Sequence, residues 1–91
     1  MSEKNKSICF DKQFREDLRW WYKNDKKIAY RVLDLVEAIT ENTFVGIGKP
    51  EPLKYVDANV WSRRITQEHR LLYRVTQNRI EFLSARYHYQ K

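Results

Sequence analysis

The chain predicts an α+β fold: two N-terminal helices packed on one face of a mainly antiparallel sheet. Three observations predict it. Two apolar stripes at helical spacing occupy the first half of the chain. Both glycines and both prolines fall within residues 44–59. Beyond them the chain is rich in β-branched and aromatic residues, interrupted by short polar separators. Helices followed by hairpins place the helices together on one side of a sheet.

The elements follow in order. Ser7-Ile8-Cys9-Phe10 reads as a short strand, and Asp11 stands where a helix N-cap would be. Phe14, Leu18, Trp21 and Tyr22 then form one apolar stripe, and Asn24-Asp25 breaks it. Ile28, Val32, Leu35, Val36 and Ile39 recur at i, i+4, i+7, i+8 and i+11, the strongest period in the chain. Glu41-Asn42-Thr43 ends this second helix. Residues 44–59 read as a connecting loop with little regular structure, shaped by Gly46, Gly48, Pro50 and Pro52. A phosphate cradle at Gly46-Ile47-Gly48-Lys49 is a weak reading, because no helix N-terminus follows. Val60–Ile65, Arg70–Thr76 and Ile80–Tyr89 read as strands joined by Thr66-Gln67-Glu68-His69 and Gln77-Asn78-Arg79.

Strand parity assigns faces. Leu71, Tyr73 and Val75 share one face, and Arg70, Leu72 and Arg74 the other. On the last strand Ile80, Phe82, Ser84, Arg86 and His88 are expected to share a face. Parity alone does not bring Arg70 and His88 together, since the register between strands is not given by the sequence.

Composition narrows the function. Ninety-one residues suit one domain over 1–91. No apolar run is long enough to span a bilayer, and Met-Ser-Glu-Lys-Asn-Lys-Ser does not read as a signal peptide. Cys9 is the single cysteine and reads as a small buried hydrophobe on a strand. A cytoplasmic protein without metal or cofactor is expected. Residues 1–42 carry nine Lys/Arg against eight Asp/Glu, a net +1, whereas residues 43–91 carry nine against four, a net +5. Arginine dominates that second half, and guanidinium forks match phosphate oxygens. The imbalance favours a polyanionic partner over a merely solvated surface.

The basic half also holds the parts for cutting RNA. Glu51 lies between two prolines and is a candidate proton acceptor, the plain alternative being a loop carboxylate paired with Lys49 or Lys54. His88 can hold a proton and release it near neutral pH. Arg70 can oppose charge building on a phosphate, or simply guard a strand edge. Arg63 and Arg64 must point to opposite faces, so at most one can face RNA and the other is left for a partner or another subunit. Trp20 and Trp21 are expected to pack or to form an interface, Tyr89 to stack on a base, and His69 to be a hairpin-turn residue with no role.

These motifs resemble the Txe/YoeB toxins of bacterial toxin–antitoxin modules, within the RelE-like ribonuclease superfamily. The resemblance runs through Asp17-Leu18-Arg19-Trp20-Trp21-Tyr22, Asn24-Asp25-Lys26-Lys27-Ile28 and Phe44-Val45-Gly46-Ile47-Gly48-Lys49-Pro50-Glu51-Pro52-Leu53-Lys54. It continues through Trp61-Ser62-Arg63-Arg64-Ile65-Thr66-Gln67-Glu68-His69-Arg70-Leu71-Leu72-Tyr73 and closes with Arg86-Tyr87-His88-Tyr89. It implies a microbial ribonuclease fold and metal-independent cleavage of mRNA in the A site of the 70S ribosome. It implies Glu51 as general base, Arg70 as transition-state clamp, His88 as general acid and Tyr89 as a substrate-positioning aromatic. Lys54 and Arg64 match residues contacting the scissile region, and Lys49 and Arg86 complete the candidate RNA-binding set. The implied partner is a YefM/Phd-type antitoxin with an acidic segment, and a homodimer is a further candidate assembly. Gln90-Lys91 extends past the tyrosine where such toxins often stop. The rival readings are a non-catalytic RNA- or protein-binding module and a co-repressor acting only with its antitoxin.

Overall fold

In the computed structural model, which describes residues 5–87, the segment of strongest period forms helix α2 (Lys26–Glu41). Its Ala29, Val32, Leu35 and Ile39 are buried, with Ile28 and Val36 packed beside them. Helix α1 (Lys12–Asn24) precedes it and buries Phe14, Asp17 and Trp21. Asp25 separates the two, its N–H donating to the Trp21 carbonyl at 2.7 Å. The expected α1 stripe is shifted: Tyr22 is exposed, and the acid Asp17 takes a place on the buried face. Asp11 stands at the α1 N-cap as expected, yet its side chain caps nothing. Its backbone N–H donates to the Phe82 carbonyl instead.

Five strands form one sheet: β1 (Ser7–Phe10), β2 (Glu51–Pro52), β3 (Val60–Arg64), β4 (Arg70–Val75) and β5 (Arg79–Ser84). Their spatial order is β1-β5-β4-β3-β2. The β2, β3, β4 and β5 neighbours pair antiparallel, and β1 joins β5 in parallel. The fold is therefore the expected α+β one, with a mixed sheet. Leu71, Tyr73, Ile80 and Phe82 meet both helices in the main core. Leu72 and Val60 face the other way and form a small second core with Leu53, Val56 and Leu83. That second core seats the 53–57 turn on the sheet. Cys9 is half-buried on β1. Among the described residues no helix is long and apolar enough to cross a membrane.

Two expectations need correction. The 44–59 segment is not wholly irregular, since β2 pairs with β3 through Glu51 opposite Ser62 and Pro52 opposite Trp61. Proline lacks an N–H and so tolerates only an edge position, which is where β2 lies. The last strand ends at Ser84 rather than Tyr89. Tyr73 faces Phe82 but Leu72 faces Ser84, so Leu83 is an extra residue on β5. This bulge reverses the side-chain alternation. Ser84 leaves the face of Phe82 and joins Leu72, and Ala85 turns into the main core.

Arg63 carries the largest surprise. It is fully buried, so its side chain is not displayed to a partner or another subunit. Its Nε donates to the Tyr73 hydroxyl, Nη1 to the Ile47 carbonyl, and Nη2 to the carbonyls of Asn42 and Val45 at 2.6 and 3.2 Å. The Tyr73 hydroxyl donates onward to the Thr43 carbonyl at 2.7 Å. One guanidinium thus gathers the whole 42–47 loop. A Cβ on Gly46 would stand 2.9 Å from Arg63 Nη1, and φ there is +136°. Gly46 is therefore needed to wrap an arginine, not to cradle a phosphate.

Burial raises the Tyr73 phenol above its ordinary 10.0, while the hydrogen bond and charge of Arg63 pull it down. With a raised folded-state value, the unfolded chain ionises first as pH rises. Tyr73 therefore contributes stability below pH about 10 that is lost above it. Denaturant melts at stepped alkaline pH should show a fall that begins there, and Tyr73→Phe should flatten that part of the curve.

Candidate active site

Register decides which side chains share the open face. Glu51 faces Ser62, Ser62 faces Leu72, and Leu72 faces Ser84, a single row across four strands. Cross-strand partners lie on one side of a sheet. Two residues along β3, Arg64 pairs directly with Arg70 on the same side. Strand geometry then sets the Glu51 Cα about 8 Å from that of Arg64 and about 12 Å from that of Arg70. Both gaps are within reach of extended side chains meeting over a bound group.

The charge on this face is divided. Arg74 and Arg79 both bind Glu81, at 2.8 and 3.1 Å, and Arg74 also lies 4.0 Å from Asp57. Those cations are neutralised. Arg64 and Arg70 stand directly opposite each other with no acidic partner among the described residues. Facing like charges repel unless an anion lies between them. Arg70 Nη1 donates to the carbonyls of Thr66, Gln67 and His69 at 2.9, 3.0 and 3.1 Å. This locks its guanidinium to the hairpin and leaves Nε and Nη2 for a phosphate.

Glu51 is exposed, and no ion pair ties it to Lys49 or Lys54. The plain reading of a paired loop carboxylate therefore fails. Lys49 and Lys54 are exposed on either side of β2, and Lys49 adopts a left-handed φ of 50°. Arg64 is exposed and Arg63 is buried, as alternation requires. Trp61 lies on the helix side against Phe44, at 4.8 Å between ring centroids. Among the described residues no group of three or more His, Cys, Asp or Glu stands together as a metal site would.

Arg86 is not on the open face. Because β5 stops at Ser84, strand alternation no longer governs it, and its guanidinium lies over the Trp20 ring at 3.8 Å and near Tyr87 at 4.9 Å. It serves packing against α1. His69 is no idle turn residue, since its Nδ1 accepts from the Tyr87 N–H at 2.6 Å and its ring meets Trp21 edge-on. His88 and Tyr89, the expected acid and stacking aromatic, lie outside the described residues. Arg70 N–H donates to the Tyr87 carbonyl at 3.0 Å, so the peptide leading to His88 starts beside the Arg64–Arg70 pair. The structure thus gathers Glu51, Arg64 and Arg70 at one end of the open face, with Tyr87 at its margin.

Residues 10–89 match the family model described as the YoeB-like toxin of bacterial type II toxin–antitoxin systems. The chain belongs to this family. Among YoeB-like relatives, Toxin YoeB of Mycobacterium bovis is 45% identical over 84 residues, covering 92% of this chain and 99% of that protein. The YoeB dimer from Staphylococcus aureus superposes with a TM-score of 0.83 at 42% identity, covering 93% of this chain and 99% of that one. The YoeB–YefM complex from the same organism gives 0.79 at 41% identity, covering 92% and 98%. This YoeB-like toxin therefore shares its fold with solved toxins over nearly its whole length. Two of its structural residues, Asp17 and His69, lie inside the motifs that carried the sequence resemblance but had no function assigned from them. Asp17 is an acid at i+3 from Phe14 on an otherwise apolar face, and that placement was the available signal.

Proposed function

We propose that this toxin is a ribosome-dependent, metal-independent endonuclease that cuts mRNA in the ribosomal A site. The single observation that supports the reading most is the facing Arg64–Arg70 pair on the same sheet face as Glu51, none of the three ion-paired among the described residues. A phosphodiester seated between the two guanidiniums relieves their repulsion and brings its ribose toward Glu51.

The chemistry follows from that seat. Glu51 accepts the proton of the ribose 2′-hydroxyl. The 2′-oxygen attacks phosphorus, and Arg70 opposes the charge that builds on the non-bridging oxygens. The bond from phosphorus to the 5′-oxygen breaks, and the leaving oxygen takes a proton from His88. The products are a 2′,3′-cyclic phosphate and a 5′-hydroxyl. Glu51 and His88 each supply one proton transfer, so the reading assigns no step to a metal. Lys49, Lys54 and Arg64 contribute backbone attraction, and Tyr89 stacks on a base. Acting on translating ribosomes, the toxin works in the cytoplasm.

The neutralising partner is a YefM-type antitoxin with an acidic segment. The unneutralised arginines suit such a segment as well as they suit RNA, and the S. aureus relative is seen in complex with YefM. A homodimer is a further assembly, as in the S. aureus YoeB dimer.

Primer extension on ribosome-engaged mRNA tests the reading. Cleavage at one A-site position that vanishes when ribosomes are omitted supports it; cleavage indifferent to ribosomes removes it. Within it, Arg70→Lys is expected to slow single-turnover cleavage by about 10- to 10²-fold with little loss of affinity, because lysine keeps the charge and loses the fork. Arg64→Ala is expected to do the reverse, weakening binding more than the saturated rate. Equal losses in both parameters for both variants would erase the distinction between the two arginines.

A further inference from the structure

The backbone just before His88 is held by side chains that take no part in the proposed chemistry. Past Ser84 the chain leaves β5, and helix α1 takes hold of it. Asp17 Oδ2 accepts from the Ala85 N–H at 2.8 Å, and Trp21 Nε1 donates to the Ala85 carbonyl at 2.7 Å. Two residues one helical turn apart thus grip both polar groups of a single residue. Gln13 Nε2 donates to Asp17 Oδ1 at 2.8 Å, so both carboxylate oxygens are occupied. An acid only 3% exposed on a helix face that otherwise meets the core is costly unless such bonds satisfy it.

A second grip follows two residues later. Tyr87 N–H donates to His69 Nδ1 at 2.6 Å, and the Tyr87 carbonyl accepts from Arg70 N–H at 3.0 Å. Tyr87 has a left-handed φ of 57°, a conformation that a bulky residue keeps only when its surroundings enforce it. The Trp21 and His69 rings meet edge-on at 4.8 Å between centroids, which braces the two grips against each other.

We infer that Asp17, Trp21 and His69 are positioning residues that set where the His88 imidazole meets the scissile phosphate. His88 is bonded directly to Tyr87, so the chain enters it from a residue held at both its N–H and its carbonyl. The hydrogen bond from the Arg70 N–H to the Tyr87 carbonyl ties the same segment to the phosphate clamp. The clamp and the segment that leads to the acid thereby share one frame built from α1 and the β3–β4 hairpin. The inference rests on the proposed role of His88 as general acid.

A leaving-group substitution tests it. Ribosome-bound mRNA carrying sulfur in place of the bridging 5′-oxygen expels a thiolate, which departs without a proton. In single turnover, Asp17→Ala is expected to slow cleavage of the oxygen substrate by about 10- to 10²-fold, the cost of a small misplacement of a catalytic group. On the sulfur substrate the same variant should approach the wild-type rate. Trp21→Phe, which removes only the indole N–H and keeps an aromatic core residue, should show the same pattern in smaller degree. Asp17→Asn keeps a carbonyl acceptor for the Ala85 N–H and should recover most of the rate. Equal slowing on both substrates, or no slowing on either, overturns the positioning role. His88→Gln separates this from the underlying mechanism. If sulfur does not rescue His88→Gln, the acid assignment itself falls; if it rescues His88→Gln but neither anchor variant, only the positioning role falls.

Discussion

Glu51→Gln is expected to lower single-turnover cleavage of ribosome-bound mRNA by about 10²–10⁴-fold, the range for loss of one general acid–base role. The substitution keeps size and hydrogen-bonding capacity and removes only the proton acceptor. Glu51 is exposed on an edge strand with no ion pair to lose, so folding should be untouched. Circular dichroism and melting temperature should match the wild type, and affinity for the programmed ribosome should change little. A carboxylate in water is a weak base, so the contribution of Glu51 depends on placement. The register opposite Ser62 supplies that placement, with a proline on each side limiting the backbone. A wild-type rate in this variant would take Glu51 out of the mechanism.

The second large effect is on stability. Arg63→Met should cost about 3–5 kcal/mol, because several charge-assisted bonds are lost together and each nets about 1.5–3 without adding fully. The carbonyls of Asn42, Val45 and Ile47 and the Tyr73 hydroxyl would each lose a donor or neighbour in the interior. Domains of this size hold only about 5–15 kcal/mol in total, so the variant should sit near the edge of folding. Each kcal/mol lowers the melting temperature by about 4–8 °C in a chain this short. Thermal melts measure the loss directly, and amide exchange should show residues 42–48 opening first. A melting temperature within a few degrees of wild type would mean that methionine packing replaces the guanidinium.

Much of the fold was legible in the sequence, because burial imposes a period. The five positions from Ile28 to Ile39 could form only an amphipathic helix, and alternation alone placed Leu71 and Tyr73 opposite Leu72. The adjacency of Arg63 and Arg64 likewise forced one inward. What the sequence did not show was which interior could accept an arginine, since the acceptors are loop carbonyls contributed by residues 42–47. The bulge at Leu83 was equally hidden. An added residue carries no compositional mark, yet it moved Ser84 off the face of Phe82 and turned Ala85 into the main core, and the end of β5 at Ser84 then freed Arg86 to lie over Trp20. The candidate site was half legible. Residue types named Glu51 and Arg70, but only register put Arg64 and Arg70 face to face.

The parallel pairing of β1 with β5 gives this toxin a built-in delay during its own synthesis. Ser7 meets Arg79, so the first strand waits for nearly the last part of the chain before its hydrogen bonds can form. Chains grow at about 5–20 residues per second, and contacts so distant in sequence form slowly even once all parts are present. A growing chain in which residues 79–84 have yet to emerge has no β5, and its β1 has no strand to pair with. The sheet, and with it the face that carries Glu51, Arg64 and Arg70, is therefore completed at its β1 edge only when residues 79–82 have been made, so the earliest strand is among the last to find its place.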